Sequence, residues 1–266
     1  MLDQQLYHTV LILAGIANMS MALVLLHGNL AYGDYPVYRN ARRFVALCFT
    51  LFAIGFFLHA HFNWRNSWHE AASALSVSYF HCGAVLFGWS QISLLNPNYL
   101  SRKIVVRDLL LLTVGLMAYW SVVLLPSVAR VGESVFVIFF IHAIIVTYTF
   151  YRTYYRVRKR LQQLSHGTIE QFVRWMLLSC HLIIVFGIGS IVVTACLPTA
   201  VWPYTLLMAI GILVFVYIFF SINDYGYVID STTNATEQTT HHVADPLANQ
   251  LLVAVVVRLC NVVGHH

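Results

Sequence analysis

Histidine is the residue type in this sequence with the widest chemical range, and several of its thirteen copies occupy long apolar stretches. His81 and His142 lie near the middle of two such stretches, at similar depth, and His59 lies near the end of another. Two imidazoles at equal depth can ligate a haem iron, and a cluster with Glu70 or Glu133 can hold zinc. The competing interpretation is a neutral imidazole that hydrogen-bonds to a Ser, a Tyr or a backbone carbonyl. His81 and His142 are therefore candidate metal ligands, and the sequence does not distinguish between haem and zinc.

Acidic residues show a different distribution, because all ten fall in predicted loops, at the ends of apolar stretches or in the carboxyl-terminal region. They are Asp3, Asp34, Glu70, Asp108, Glu133, Glu170, Asp224, Asp230, Glu237 and Asp245. Pumps and ion-coupled transporters usually hold a carboxylate in the membrane interior, where a charge costs at least about 2.5 kcal/mol. The distribution therefore predicts no carboxylate at that depth. The last apolar stretch also lacks the Lys that a retinal protein needs.

The elements that position these residues follow from length and composition. Only 9% of the 266 residues are charged and 59% are hydrophobic, with a mean hydropathy of +0.73, whereas a soluble domain carries about 25% charged residues. A spanning helix needs about 20 apolar residues, and lipid offers no partner to an open backbone. Seven stretches qualify, near 6–27, 42–62, 71–95, 105–125, 134–154, 173–196 and 201–221. The predicted fold is all-α, a polytopic membrane protein with a seven-transmembrane-helix bundle over residues 1–221.

The basic residues predict how this bundle is oriented. Most of the fifteen Lys and Arg residues fall on one side of the predicted membrane. The predicted cytoplasmic basic face consists of Arg39, Arg42, Arg43, Arg102, Lys103, Arg107, Arg152, Arg156, Arg158, Lys159 and Arg160. Because basic loops stay on the cytoplasmic side, the amino terminus is expected outside and the carboxyl terminus in the cytoplasm. The basic charge then indicates contact with the lipid bilayer and its anionic headgroups at the inner face, and it gives no evidence for nucleic-acid binding.

Two stretches on the predicted cytoplasmic side extend beyond the spans. Residues 151–161 contain no helix breaker, so the fifth span is expected to continue as a helix that either transmits motion or simply anchors the segment. Residues 222–266 are predicted to form a cytoplasmic linker and tail, polar and partly disordered at first. Within it, 247–257 is apolar but too short to span, so it either lies on the membrane or marks a truncated carboxyl-terminal module.

This layout resembles a known group of bacterial proteins. The relevant features are seven spans, an outside amino terminus, Tyr38-Arg39-Asn40-Ala41-Arg42-Arg43 entering the second span and a polar linker after the seventh. In these features the chain resembles the bacterial membrane-sensor regions that precede a cytoplasmic regulator or histidine-kinase module. The resemblance covers residues 1–225 and implies a multi-pass protein of the bacterial inner membrane with a cytoplasmic signalling partner. The chain departs from that plan, because the region after Tyr225 shows neither a recognition-helix pair nor a kinase motif.

The sequence therefore predicts a non-enzymatic, receptor-like or sensor protein that binds a small or lipidic ligand in the outer half of the bundle. The predicted ligand-binding residues are His59, His81, Trp120 and His142, since they are the main polar or amphipathic groups at that depth. One alternative is a membrane haem- or metal-binding redox protein that uses the same histidines. Another is a facilitator or transporter that works without an intramembrane carboxylate.

Overall fold

The structure is a computed structural model that describes residues 2–28, 35–125, 132–164, 169–197 and 199–242. The described ranges fold into helices and their connections and contain no strand. The helices are α1 Leu2–His27, α2 Pro36–Phe62, α3 Trp64–Ser67, α4 His69–Leu95, α5 Arg102–Leu124, α6 Gly132–Leu164, α7 Ile169–Cys196 and α8 Val201–His242. All except the one-turn α3 contain a segment of 21 to 27 residues that is apolar enough to cross a membrane. The predicted all-α, seven-span membrane fold is confirmed.

Contacts between helix ends show that α2 runs in the opposite direction to both α1 and α8. Near the start of α2, Arg42 bonds to the carbonyl of Leu25 near the end of α1 and to the side chain of Asn223 in α8. At the other end, Arg65 of α3 stacks on the ring of Tyr204 near the start of α8. We call the end that holds α3 the N-terminal end of the bundle, and the end that holds residues 96–101 the C-terminal end.

Helix α4 lies at the centre of the bundle. Of its most apolar segment 72% is buried, against 17% for α5, and it packs against α2, α5, α6 and α7. Small residues allow this close approach: a Cβ added at Gly88 would overlap Val146 of α6, and one added at Gly83 would overlap the ring of Phe52. The glycines of α4 thus set the distances at which its neighbours lie.

An aromatic cluster joins α2, α4 and α8. The ring of Phe52 stacks on Phe215 with centroids 4.8 Å apart and tilts against Phe80 at 5.8 Å. Phe186 brings α7 into the same cluster at 5.3 Å from Phe215. Such offset and edge-on pairs are the favoured aromatic geometries, and they fix this side of the bundle as its packed core.

A buried arginine holds the C-terminal end together. The Arg42 side chain is 3% exposed, and its guanidinium donates to the carbonyl of Leu25, to the hydroxyl of Tyr38 and to Asn223 Oδ1. Tyr38 in turn donates to the carbonyl of Ile222 over 2.6 Å. Because the last carbonyls of a helix have no partner within it, Arg42 satisfies the end of α1 while it ties α1, α2 and α8 together.

Two helices extend past the predicted spans. Helix α6 continues to Leu164, which confirms the expected continuous helix through residues 151–161. Helix α8 continues to His242, through a stretch where the sequence predicts a polar linker; no proline occurs between Pro203 and Pro246 to end it. The apolar stretch 247–257 lies outside the described residues.

Candidate functional site: a buried polar chain beside a cavity

Two histidines at equal depth meet in the centre of the bundle. His81 Nε2 of α4 lies 2.9 Å from His142 Nδ1 of α6, and His81 Nδ1 lies 3.2 Å from the hydroxyl of Tyr119 on α5. The three side chains are 1%, 1% and 4% exposed. The hydrogen bonds therefore connect three spanning helices through buried groups, where each bond is shielded from competition by water.

The proton positions in this cluster follow from its geometry. If Tyr119 donates its hydroxyl proton to His81 Nδ1, the proton of His81 lies on Nε2 and is donated to His142 Nδ1. His142 then carries its own proton on Nε2, because a neutral imidazole has one donor and one acceptor nitrogen. The reverse assignment would turn the Nε2 lone pair of His142 toward a carboxylate, that of Asp108, which is repulsive. In this assignment, all three protons are directed toward Asp108.

Asp108 is the last acceptor in this series. Its Oδ1 lies 3.5 Å from His142 Nε2, within ion-pair distance but without hydrogen-bond geometry. Trp89 of α4 donates its indole N–H to Oδ2 over 2.8 Å, and Arg107 contacts Oδ1 over 2.7 and 2.8 Å. We call Tyr119, His81, His142, Asp108 and Arg107 together the polar chain. Burial and the nearby Asp108 carboxylate raise the pKa of the Tyr99 phenol, which lies on the connection between α4 and α5.

The burial of Asp108 is a feature that the sequence does not reveal. Asp108 lies near the end of a spanning helix, as expected, as the seventh residue of α5, but its side chain is 0% exposed inside the bundle. The helix begins at Arg102, three residues before the predicted span, and it turns Asp108 toward α4 and α6. The adjacent Arg107, whose side chain is 41% exposed at the C-terminal end, supplies the opposite charge that a buried carboxylate requires. In sequence, the Arg107-Asp108 pair is indistinguishable from an ordinary interfacial pair.

The polar chain extends along about half the length of α5. Tyr119 and Asp108 are eleven residues apart on α5, which is about 16 Å along the helix axis, against about 30 Å for the hydrocarbon core. The chain runs from the N-terminal half of the bundle to the exposed guanidinium of Arg107. Histidine and carboxylate groups in series inside a membrane are typical of proton relays and of sites that respond to ligands.

A cavity of about 480 Å³ lies beside the polar chain and is lined by residues of α4, α6 and α7. Its wall includes Gly88, Phe139 and Ala143, which are adjacent to or near Trp89 and His142 of the polar chain. Phe139 contacts both features: it lines the cavity, and its ring lies edge-on to His81 at 5.1 Å. The volume is within the range of about 300–1,000 Å³ found for small-molecule pockets.

The four predicted ligand-binding residues occupy two places. His81 and His142 belong to the polar chain, and Trp120 lies next to it, where its indole donates to Ser78 of α4 over 3.2 Å. His59 belongs to a separate cluster at the N-terminal end, where its Nε2 is hydrogen-bonded to the hydroxyl of Ser76 over 3.0 Å. None of the four lines the described cavity.

The cluster around His59 contains a residue that the sequence places in a loop. Arg65 is 3% exposed, donates to the hydroxyls of Ser73 and Ser76, and lies 3.6 Å from the centre of the Tyr204 ring. The cluster joins α2, α3, α4 and α8. Arg42 has a similar role at the other end, where it joins α1, α2 and α8. The only sequence signal is a single basic residue between two tryptophans, Trp64 and Trp68.

The geometry of His81 and His142 does not fit a metal bound between them. Two metal–nitrogen bonds of about 2 Å each would hold the facing nitrogens farther apart than the 2.9 Å observed. Glu70 pairs instead with the exposed His69 at 3.1 Å, and the side chain of Glu133 lies outside the described part. Among the described residues, no group of three or more His, Cys, Asp or Glu side chains is arranged to hold a metal ion.

The predicted basic face lies at the C-terminal end of the bundle. Its exposed members are Arg43, Arg102, Lys103, Arg107, Arg152, Arg156 and Lys159. Arg39 and Arg158 are half-buried, Arg42 is buried in its cluster, and the side chain of Arg160 lies outside the described residues. This end therefore carries positive charge on three separate helices, α2, α5 and α6.

The fold and the site together define a polytopic α-helical membrane protein with a buried ionisable network. Comparison with protein-family models, with curated proteins and with solved structures finds no match for this chain. Any more specific assignment must therefore come from the chemistry of the site itself.

Proposed function

We propose that this chain is a receptor-like membrane protein that binds a small or lipidic ligand inside the bundle and responds through the polar chain. The observation that carries the proposal is that α4 and α6 contribute residues both to the cavity and to the polar chain. Gly88 lines the cavity while its neighbour Trp89 bonds to Asp108, and Phe139 touches both the cavity and His81. A ligand that moves Phe139 must also move His81.

The polar chain can respond to a ligand because its contact between His142 and Asp108 is longer than a hydrogen bond. The 3.5 Å separation of His142 from Asp108 exceeds the 2.7–3.2 Å range, roughly, of N–H···O hydrogen bonds. A shift of a few tenths of an ångström between α5 and α6 would close it. A ligand that favours one of these two arrangements shifts their populations in proportion to its differential affinity.

The same proposal orients the protein in a bacterial inner membrane, with its amino terminus outside. The exposed arginines and lysines of α2, α5 and α6 at the C-terminal end support that orientation, since such residues are retained in the cytoplasm. The continuous helix at the end of α6 and the long α8 then offer surfaces for a cytoplasmic signalling partner.

Filling the cavity with a side chain tests this proposal without a known ligand. Gly187 lines the cavity, and a Cβ added there meets no atom within 4 Å. Gly187→Phe is expected to occupy the cavity, press on Phe139 and change the side-chain nitrogen resonances of His81 and His142. Nitrogen-15 NMR of histidine-labelled protein in nanodiscs measures this change.

Two alanine variants control for the change of backbone preference. Gly187→Ala raises helix propensity by about 1 kcal/mol but adds only a methyl group, and Gly189→Ala does the same where the added Cβ lies 3.8 Å from Leu207. Both are expected to leave the two histidine signals in place. Unchanged signals in Gly187→Phe would refute coupling between the cavity and the polar chain.

A proton-conducting facilitator is the second candidate, favoured by the protons directed from Tyr119 to Asp108. Because Asp108 is buried, such a protein would use an intramembrane carboxylate rather than work without one. A proton flux into protein-containing vesicles that Asp108→Asn abolishes would identify it. Its absence would leave the receptor-like proposal.

A further inference from the structure

The cavity contains one buried polar side chain whose hydrogen-bonding groups have no partner in the described part of the chain. Gln91 of α4 lines the cavity and is 1% exposed. Neither its amide nitrogen nor its amide oxygen makes a hydrogen bond to a described residue. Buried amide groups are normally satisfied, because an unmet donor or acceptor is costly. The Gln91 amide therefore indicates a ligand that supplies both a donor and an acceptor and that is reached by a turn of the side chain toward the cavity.

The other residues that line the cavity determine the chemistry of the rest of that ligand. The other lining residues are mainly aliphatic and aromatic, and among those described none carries a formal charge. Thr147 and Tyr148 add two hydroxyl groups to a wall that is otherwise mainly apolar. A mostly hydrocarbon molecule without net charge matches the wall.

The route of entry is open to lipid. Ile144 and Tyr148 of α6 and Ile188 of α7 line the cavity and are also 64%, 64% and 52% exposed on the outer surface of the described bundle. These residues belong to membrane-spanning segments, so their exposed sides face the bilayer. The cavity therefore opens sideways between α6 and α7, and a ligand can enter from the bilayer.

We infer that the cavity binds a neutral lipidic alcohol whose hydroxyl is held by Gln91, an inference that deepens and rests on the proposed receptor-like function. A hydroxyl donates one proton and accepts others, so it can donate to Oε1 and accept from Nε2 of the same amide. A ketone would leave Oε1 unmet. A fatty carboxylate would bring a buried charge with no cation among the described lining residues.

A matched ligand series tests the inference on the purified, full-length protein in nanodiscs. The probe is dodecanol that carries a photoreactive diazirine, and the competitors are dodecanol, dodecane and dodecanoate, which share chain length. Labelling is expected to be saturable and to map to cavity residues of α6 and α7. Dodecanol is expected to compete about tenfold better than either of the others, the effect of one well-placed polar contact.

The decisive variant is Gln91→Leu, with Asn18→Leu as its matched control. Asn18 of α1 is also a buried amide, 0% exposed, but it lies outside the cavity. Gln91→Leu is expected to weaken competition by dodecanol about tenfold and to remove its preference over dodecane, whereas Asn18→Leu should preserve both. Equal preference for the alcohol in Gln91→Leu, or strongest competition by dodecanoate, would overturn the inference.

Two outcomes separate this inference from the proposed function. If dodecanol binds through Gln91 but leaves the resonances of His81 and His142 unchanged, the receptor-like coupling fails and the alcohol site stands. If Gly187→Phe shifts those resonances but the alcohol shows no preference over dodecane, the coupling stands and the ligand class is wrong. Should Gln91→Leu fail to fold, the ligand preference of the unmodified protein alone decides the inference.

Discussion

Replacing Arg107 by Met is expected to lower the free energy of unfolding by at most about 3–5 kcal/mol, the cost of leaving one partner of a fully buried ion pair uncompensated, reduced here by the partial exposure of Arg107. The pair is asymmetric: the Asp108 side chain is 0% exposed, whereas that of Arg107 is 41% exposed. Removing the arginine leaves the buried carboxylate without its cation, in contact with Trp89 and His142. Unfolding in mixed detergent and SDS, followed by far-ultraviolet circular dichroism, measures the loss.

The double variant Arg107→Met/Asp108→Leu distinguishes the cost of the unpaired Asp108 carboxylate from the cost of losing the Arg107 side chain. It buries no carboxylate, so it is expected to be more stable than Arg107→Met alone, although Trp89 loses its acceptor. Lys103→Met, in the first turn of the same helix and exposed, is expected to change stability by no more than about 0.5 kcal/mol. If Arg107→Met costs no more than Lys103→Met, Asp108 is not a buried charge and the polar chain is incorrectly drawn.

Replacing Arg42 by Met is expected to be the second most costly change, at about 3 kcal/mol. Methionine keeps the bulk of the side chain in the membrane-spanning segment but removes every donor of the guanidinium. The carbonyl of Leu25 and the Oδ1 of Asn223 then lose a buried partner, and each unmet group costs about 1–3 kcal/mol. The contacts among α1, α2 and α8 should loosen together, which hydrogen exchange at the end of α1 would show.

The adjacent arginine is the natural control for this experiment. Arg43 follows Arg42 directly but is exposed, so Arg43→Met should leave the free energy of unfolding within about 0.5 kcal/mol of the unmodified protein. Equal losses for the two variants would mean that Arg42 acts only through the charge of this end of the bundle and not through its hydrogen bonds.

The fold was predictable from the sequence because membrane insertion depends on local properties. The number of spans follows from segment length and hydropathy, and the extension of α6 follows from the absence of a helix breaker in residues 151–161. The equal depth of His81 and His142 also follows from counting residues along each span. These inferences need no knowledge of which helices are neighbours.

The remainder of the site depends on helix neighbours, which a single sequence does not specify. Asp108, Gln91 and Arg65 are all buried, but each is near enough to a helix end or loop to be interpreted as a solvated residue. Their burial depends on which face of the helix meets the central α4. Gln91 carried the strongest available signal, because it is the only glutamine within its apolar span.

The separation of the cavity from the predicted binding residues has the same origin. His81 is hydrogen-bonded to His142 and to Tyr119 of α5, whereas the cavity is lined by other residues of α4, α6 and α7. Polarity and depth identified residues of α4 and α6, two helices that also line the cavity, but not the residues that line it. The cavity and the polar chain therefore appear only when the packing of α4, α6 and α7 is known.

The hydrogen bond between His81 and His142 can be measured directly in the unmodified protein. Nitrogen-15 NMR of histidine-labelled protein in nanodiscs detects scalar coupling across an N–H···N bond. We predict one coupled pair of nitrogens from two different histidines, absent from both His81→Gln and His142→Gln. Two uncoupled histidines whose ring protons exchange rapidly with water would contradict a buried polar chain and, with it, the response that we propose.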